Sequence, residues 1–331
     1  MFSCNALEVI EGIESRVESS KDEENIPYMD AYWMEGNLSN STNLNASWSS
    51  LTTAGATTID ITVYDQANCV GSVEDSMTGQ PVTLTSHTFN PSSEGYYSFS
   101  LELLDDLGIS MSSFCSDQIE WDVTNPLNPS NIGWGTPTTP GSDSNQSSQT
   151  IAWDASGSGD TASYSIHLFS DAICASPFGT DTLVDVPTTN LPVNGLPPGD
   201  YTFTITTTDS AGNSNVSVCS SVMSLDFTPP AQIAGLSWTE GASTSSAGIT
   251  GNWTASADAS SYLIEFYKNT NSTPCTGTLL GTTEEVVHPD NFVAYPDTLI
   301  SGEYYSFVVT AKDAAGNESI ASGCSPVILK N

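Results

Sequence analysis

One hairpin motif recurs three times along this chain at nearly constant spacing. Its clearest copy, Tyr201–Cys219, alternates aromatic and aliphatic residues with threonines and then passes through Asp209–Asn213 before a second polar run. Such alternation predicts a half-buried β-strand, and the glycine in the polar stretch predicts a tight turn. We expect a second strand, which carries Cys219, to follow the turn. A second copy begins at Tyr305 and a more divergent one at Tyr97, each 104 positions away by subtraction. A repeat of this length in a chain of 331 residues predicts three modules.

Six of the seven cysteines follow the same repeat, with two in each predicted module. Within a pair the positions differ by 46, 45 and 49 by subtraction, and no pair has the Cys-x-x-Cys spacing of a zinc site. We expect one disulfide inside each module, which requires an oxidising compartment; buried free thiols are the alternative. The expected disulfides are Cys69–Cys115, Cys174–Cys219 and Cys275–Cys324.

The charge of the chain is strongly one-sided. It contains 39 acidic and 5 basic residues, which gives a formal net charge of −34. Such a surface repels phosphate groups, so we exclude nucleic acids as partners and expect membrane contact only through a lipid anchor. The sequence has no run of roughly 18 apolar residues that would span a membrane. The shortage of cations fits an exposed extracellular surface rich in Ser, Thr and Asn.

Residues 1–27 precede the first repeat and form an N-terminal segment. Asn5 is a suitable N-cap, and apolar residues follow it at helical spacing, which predicts a short helix. These apolar positions are Leu7, Ile10, Ile13 and Val17. The polar residues that follow predict a linker to the first module.

Cys4 is the one cysteine without a partner in the repeat. The stretch Met1–Cys4 resembles the end of a bacterial lipobox, and this resemblance implies that Cys4 is a lipidation site. No hydrophobic signal precedes it in this sequence. A leftover free thiol and an intermolecular disulfide are the alternatives.

Paired tryptophans and proline-containing joints also repeat. Each module has one Trp in its first and one in its second predicted strand, at Trp33 and Trp48, Trp134 and Trp153, and Trp238 and Trp253. Because they recur with the strands, we expect them in the cores. The joints Asp122–Pro126 and Asp226–Pro230 are again 104 positions apart by subtraction, and proline there stiffens the junction. These marks divide the chain into modules at 28–124, 125–228 and 229–331.

These residues resemble known extracellular repeats. The second-strand Trp, the third-strand Tyr and the element Leu196–Tyr201 are similar to fibronectin type III domains, whereas the turn Asp209–Asn213 and the joints resemble tandem Ig-like repeats of bacterial surface proteins. The resemblance implies an all-β chain of three tandem β-sandwich modules that form a rod, each with a tyrosine corner. In two modules adjacent tyrosines leave open which ring forms the corner: Tyr96 and Tyr97, and Tyr304 and Tyr305.

The sequence gives little support for catalysis. The three histidines, His87, His167 and His288, do not recur at matched positions, and no Gly-x-Ser-x-Gly motif is present. His167 falls on the polar side of an alternating strand, so we expect it to be solvated. We therefore expect no enzyme activity and no catalytic residues.

Calcium is the cofactor for which the sequence offers candidate ligands. Carboxylate and amide oxygens gather in the hairpin turns and joints, and calcium takes six to eight oxygen ligands. We expect the turn of each hairpin to face the joint of the next module, where a cation would stiffen the array. Ordinary turn chemistry is the alternative. The candidates are Asp105, Asp122, Asp209, Asn213, Asp226, Asp313 and Asn317.

These features predict a non-enzymatic extracellular structural or adhesive protein, displayed on a bacterial surface and able to serve as a fibre subunit. Its partner would be a protein or glycan on a cell surface, or copies of itself. One alternative is a carbohydrate-binding or spacer array of a polysaccharide-processing system, which a planar stripe of exposed aromatic residues would favour. Another is an assembly subunit whose N-terminal segment inserts into a neighbour.

Trypsin provides a direct test of the charge distribution. Positions 22–267 contain no Lys or Arg, so complete digestion of the reduced, denatured chain should yield one large peptide from Asp22 to Lys268. Mass spectrometry of the digest checks this. Peptides cut inside that span by pure trypsin would contradict the prediction.

Overall fold

The computed structural model describes residues 30–50, 55–136, 139–140, 143–280 and 284–331. The N-terminal segment, with Cys4 and the predicted helix, lies outside the described residues. The chain divides into two compact units, one ending at Val123 and the other beginning at Thr124. The first unit holds module 1, and the second holds modules 2 and 3.

Module 1 is a sandwich of two β-sheets. Its strands are β1 (Ala31–Trp33), β2 (Leu38–Ser39), β3 (Leu44–Trp48), β4 (Thr58–Tyr64), β5 (Val73–Pro81), β6 (Ser86–Phe89), β7 (Gly95–Leu104), β8 (Ser110–Cys115) and β9 (Ile119–Trp121). The smaller sheet has the order β1-β3-β6, and the larger has the order β2-β9-β7-β4-β5 with β8 also paired to β7. A short 3-10 helix, Ala67–Cys69, follows β4.

Module 2 repeats this arrangement in the second unit. Its strands are β10 (Ser130–Thr136), β11 (Thr139–Pro140), β12 (Asp143–Ser144), β13 (Gln149–Asp154), β14 (Thr161–Phe169), β15 (Thr182–Asp185), β16 (Asn190–Val193), β17 (Gly199–Asp209), β18 (Ser214–Val216) and β19 (Met223–Leu225). The sheet orders are β11-β10-β13-β16 and β12-β19-β17-β14-β15, with β18 also paired to β17.

Module 3 has the same two sheets, but two short strands, β24 and β25, share the edge beside β23. Its strands are β20 (Ser237–Trp238), β21 (Ser243–Thr244), β22 (Thr250–Asn252), β23 (Ser261–Asn269), β24 (Thr278–Leu279), β25 (Glu284–Val287), β26 (Phe292–Ala294), β27 (Tyr304–Lys312) and β28 (Ile328–Lys330). The sheet orders are β20-β22-β26 and β21-β28-β27-β23-β24, with β25 also paired to β23. The predicted all-β fold of three tandem sandwiches is therefore confirmed.

Each core is built on the paired tryptophans. All six are at most 6% exposed, which confirms that they serve packing. The first Trp of every module meets a phenylalanine of the long central strand edge-to-face. The ring centroids are 5.0 Å apart for Trp33 and Phe99, 5.3 Å for Trp134 and Phe203, and 4.8 Å for Trp238 and Phe307. This geometry suits the quadrupoles of aromatic rings.

A tyrosine corner is present in every module. Tyr97 donates its hydroxyl to the carbonyl of Ser93, and Tyr201 donates to the carbonyl of Pro197 at 3.0 Å. The hydroxyl of Tyr305 instead accepts the N–H of Ile300 at 2.8 Å. The structure thus resolves the choice between adjacent tyrosines, since Tyr97 and Tyr305 are each 1% exposed.

The three expected disulfides are formed, with Cα atoms 5.8, 5.9 and 6.1 Å apart. The first cysteine of each pair has a positive φ, and its N–H donates to a buried hydroxyl of the central strand. Those pairs are Cys69 with Ser98 at 2.9 Å, Cys174 with Thr202 at 3.2 Å, and Cys275 with Ser306 at 2.9 Å. The left-handed backbone is uncommon for a residue other than glycine, and this hydroxyl helps to hold it.

The cysteine loop of module 2 is further fixed by Asp171. Its carboxylate accepts the N–H groups of Ile173 at 3.0 Å and Ala175 at 3.1 Å. Desolvation raises the pKa of the Asp171 carboxyl, but these hydrogen bonds and those from Ser176 outweigh it and leave the pKa below its ordinary value. The ionised form is therefore the one that fits this turn.

Serine side chains replace part of the last strand in modules 2 and 3. In module 3, Ser319, Ser322 and Ser325 each donate a backbone N–H to a carbonyl of β27 and accept the N–H of the same β27 residue at Oγ. The serines are every third residue, whereas their partners on β27 are alternate residues: Ala311, Val309 and Phe307. Each Oγ supplies the acceptor that a regular strand would supply from its backbone.

We call the two hydrogen bonds between one such serine and the long central strand a serine rung. The number of serine rungs differs between modules. Ser217 and Ser220 make the same pair of bonds with Ile205 and Phe203 in module 2, and Ser116 makes them with Phe99 in module 1. The expectation that a second regular strand carries Cys219 is therefore wrong, because β18 ends at Val216. A spacing of three residues is incompatible with the two-residue period of a strand.

Removal of a serine rung should destabilise module 3. Ser322→Ala leaves the buried N–H of Val309 without its acceptor, so we expect the free energy of unfolding to fall by about 1–3 kcal/mol. Urea unfolding measures this, and hydrogen exchange should accelerate at the Val309 amide. Ser245→Ala, at an exposed serine of the same module, is the control and should change stability by less than about 0.5 kcal/mol. Equal stability of the two variants would contradict the role given to Ser322.

Candidate functional site

A cavity of about 420 Å³ lies at the joint between modules 2 and 3, inside the second unit. Four carboxylates line it: Asp143, Asp226, Asp258 and Asp313. Ser224 and Thr228 also line it, together with Pro229, Ala314 and Ala315.

The hairpin turn of module 3 fixes one wall of this joint cavity. Asp313 is 8% exposed, and its two carboxylate oxygens accept the N–H and the Nδ2 of Asn317 at 2.8 and 2.9 Å. Asn317 Nδ2 also donates to the carbonyl of Asp226 at 2.7 Å, which ties the turn to the joint. The carboxylate of Asp226 accepts the N–H of Thr228 at 2.8 Å. The side chains are therefore held by local hydrogen bonds.

We expected the turn of each hairpin to face the joint of the next module, and the structure corrects this expectation. Asp226, Asp313 and Asn317 do come together, but the hairpin contacts the joint that precedes its module, not the joint of the next one. The long strand β27 runs back to the end of the sandwich at which the chain enters module 3, and the hairpin turn follows it there. The turn therefore lies beside the joint that precedes its own module.

The other calcium candidates occupy different settings. Asp209 and Asn213 make the same internal bonds, at 2.8 and 3.0 Å. Asp105 instead accepts the N–H groups of Leu107 and Ile109 with one oxygen. The backbone N–H of Asp122 donates to the carbonyl of Ser39 at 3.0 Å.

Sequence reasoning missed two members of the joint cavity. Asp258 lies four positions before Tyr262, a spacing that Asp160 and Tyr164 share in module 2, so a fuller repeat alignment would have found it. Asp143 belongs to the two-residue strand β12, which pairs in parallel with β19. No local sequence signal indicates that pairing.

The cavity suits a hard cation in chemistry and charge. Carboxylate and hydroxyl oxygens are the ligands that Ca²⁺ prefers. Asp226, Asp258 and Asp313 bring three carboxylates to the cavity besides Asp143. Divalent cation binding at this joint remains a prediction.

His167 is not simply solvated as expected. Its Nδ1 lies 2.8 Å from the carboxylate of Asp181, and its Nε2 lies 2.8 Å from the hydroxyl of Thr206. The three groups lie on the outer face of the larger sheet of module 2, on or beside strands β14, β15 and β17. The spacing equals that of a nucleophile, a base and an orienting carboxylate.

The surroundings of His167 do not match those of a hydrolase. Thr206 lies in the middle of β17, where it is paired with Ser165 on one side and Val216 on the other, so the sheet uses the local backbone N–H groups. An oxyanion hole needs such groups to be free. The carboxyl side chain of Asp181 is 62% exposed, so water screens its interaction with the imidazole. We interpret the contacts among Thr206, His167 and Asp181 as a hydrogen-bond network on the surface of the sheet.

Each of the other histidines has one polar partner. His87 Nε2 lies 2.7 Å from the carboxylate of Asp75, and His288 Nδ1 lies 3.2 Å from the hydroxyl of Tyr262. These partners differ in every module. The histidines therefore do not form a repeated site.

Aromatic side chains offer few exposed platforms. Among the described residues, the strongly exposed rings are Tyr32 at 55%, Tyr96 at 45% and Phe292 at 52%. Tyr32 and Tyr96 belong to different sheets of module 1, and Phe292 belongs to module 3. This distribution does not form the planar stripe that the carbohydrate-binding alternative requires.

Every module combines a buried pair of tryptophans, a tyrosine corner and a larger sheet in which two long strands pair side by side. These strands are β4 and β7, β14 and β17, and β23 and β27. The same combination occurs three times along one chain. The chain is a tandem array of fibronectin type III-like modules. Among the described residues, none of the helices has the length and hydropathy that a membrane span requires.

Comparisons with known proteins give limited matches to this array. No family model matches the chain. Chitinase A1 of Niallia circulans is 34% identical over 154 residues, which cover 45% of this chain and only 20% of the chitinase. The crystal structure of chicken CNTN1 FN1-FN3 domains covers 88% of this chain and 95% of its own, at 16% identity and a TM-score of 0.42.

Calcium should stabilise the joint if the cavity binds it. We expect millimolar Ca²⁺ to raise the unfolding temperature of the second unit by a few degrees, since a ligand at about 100 times its Kd contributes about 2.7 kcal/mol. Asp313→Asn and Asp258→Asn should abolish the shift, whereas the exposed Asp185→Asn control should keep it. Differential scanning calorimetry with and without chelator measures this. An unchanged wild-type transition up to about 10 mM Ca²⁺ would refute the site.

Proposed function

We propose that this chain is a non-catalytic, structural part of an extracellular protein, in which three modules present loops and sheet edges to a partner. The observation that carries the proposal is threefold repetition: the same core, corner and disulfide occur in each module. Because the same side chains recur in all three modules, we assign them to folding of the module. We therefore look for the functional surface among the residues that differ between modules.

The disulfides support an extracellular location. Three disulfides in one chain persist only in an oxidising compartment. Display on a bacterial cell surface, with assembly into a fibre, extends this proposal. The partner is a protein or glycan on a cell surface, or another copy of the chain.

The sheet edges suggest where a partner strand would add. In modules 2 and 3 the serine-rung edge lacks the regular spacing that an added strand needs. At the opposite edge of module 1, β5 is the outermost strand of the larger sheet and has nine residues. Glu74 and Asp75 give this edge a negative charge, which favours a cationic partner strand and opposes pairing with a second acidic copy.

A second candidate function is supported by the match to chitinase A1. The modules would then serve as a spacer array in a polysaccharide-processing system. Burial of all six paired tryptophans argues against sugar binding by aromatic stacking, so we favour a spacer over a binding role.

Co-sedimentation and cell labelling separate these functions. The purified chain should neither release soluble sugars from chitin nor sediment with chitin or cellulose more than a folded acidic control protein does. Antibodies against the modules should label intact cells of the source organism. Release of oligosaccharides would refute the non-catalytic assignment, strong retention on chitin would favour a carbohydrate-binding array, and labelling only after permeabilisation would refute surface display.

A further inference from the structure

The hairpin turn of module 1 differs from its two equivalents by exposing apolar side chains. Leu107, Ile109 and Met111 are 77%, 59% and 42% exposed and lie within five residues of chain. The equivalent turns of modules 2 and 3, Asp209–Asn213 and Asp313–Asn317, hold only small and polar residues. We call the three exposed residues the apolar turn surface of module 1. Such a cluster at one spot indicates a contact.

In modules 2 and 3, this hairpin contacts the chain that enters the module. Asn317 of module 3 donates to the carbonyl of Asp226 at 2.7 Å, in the joint that enters that module. In module 2, Asn215 donates to the carbonyl of Pro126 at 3.1 Å, and Asn128 donates to the carbonyl of Val216 at 3.0 Å. The incoming chain and the hairpin are therefore neighbours in both modules.

The chain enters module 1 at the same end of the sandwich. The N–H of Ser49 donates to the carbonyl of Asp30 at 2.9 Å, so the first described residue lies at the end of β3. From there the chain passes to β4, whose first residue pairs with Leu104, immediately before the turn. Asp30 therefore lies at the same end of module 1 as the apolar turn surface.

We propose that the N-terminal segment of this chain docks on the apolar turn surface of module 1. The segment supplies the complementary chemistry: its apolar positions follow helical spacing and form one stripe, at Leu7, Ile10, Ile13 and Val17. The docking takes the place of the polar hairpin-to-joint bonds of modules 2 and 3.

The reach of the chain supports the same occupant. Thirteen positions separate Val17 from Asp30 by subtraction, and an extended chain of that length reaches up to about 40 Å, so the stripe can lie over the turn. The segment also carries Arg16 and Lys21, two of the five basic residues of the chain. Positions 1–27 also contain seven acidic residues, so the segment is acidic overall and its docking rests on the apolar stripe.

Trypsin reports on this docking in the full, folded chain, because Arg16 and Lys21 are its cleavage sites within the segment. Docking should protect them, since cleavage follows the undocked population when opening is fast. We expect Leu107→Ser/Ile109→Ser to accelerate cleavage at Arg16 at least about fivefold over wild type. The variant Leu7→Ser/Ile10→Ser should do the same without altering module 1. Quantitative mass spectrometry follows both rates.

Internal and matched controls make the result decisive. Cleavage at Lys268 and Lys312 should be equal in all proteins, which normalises protease activity. Ile320→Ser, at a residue 79% exposed in module 3, should leave cleavage at Arg16 unchanged. Equal cleavage of wild type and both double variants would overturn the proposal. Protection that rises with protein concentration would overturn it as well, because the segment would then occupy a second copy.

Discussion

Each module depends on one tripeptide at the start of its long central strand. The tripeptide is Tyr97–Phe99 in module 1, Tyr201–Phe203 in module 2 and Tyr305–Phe307 in module 3. Its tyrosine makes the corner, and its middle Ser or Thr holds the N–H of the cysteine loop. Its phenylalanine packs on the first tryptophan and bonds through its backbone to the last serine rung. Core, corner, disulfide and edge therefore meet on three consecutive residues.

This concentration explains how the modules fold with almost no ion pairs among the described residues. Neutral hydroxyls, ring contacts and one disulfide supply the specific interactions, and none of them needs a cation. Such an arrangement suits a chain of net charge −34, because its surface charges repel one another and it has few cations to pair with its carboxylates. Salt should consequently affect the joints and surfaces more than the cores.

The hairpin turn is where the three modules diverge. The scaffold behind it is constant, but the turn makes polar bonds to the incoming chain in the second unit and exposes apolar residues in module 1. The joint cavity and the apolar turn surface are two uses of the same position in the fold. Under the proposals made above, the hairpin turn contacts the chain that enters its module, and β5 offers a separate edge to an external strand.

The sequence by itself determined the repeat, the strand pattern, the buried tryptophans and the cysteine pairs, because each has a local period or a recurrence along the chain. It did not identify the partners of His167 or the entry of Asp143 into the joint, because both depend on which strands become neighbours. The serine spacing was visible, but its meaning was not: Oγ atoms act as backbone acceptors only once β27 lies alongside. Likewise, only the folded hairpin decided that Asn317 meets Asp226, since the direction of the returning strand fixes which joint the turn can contact.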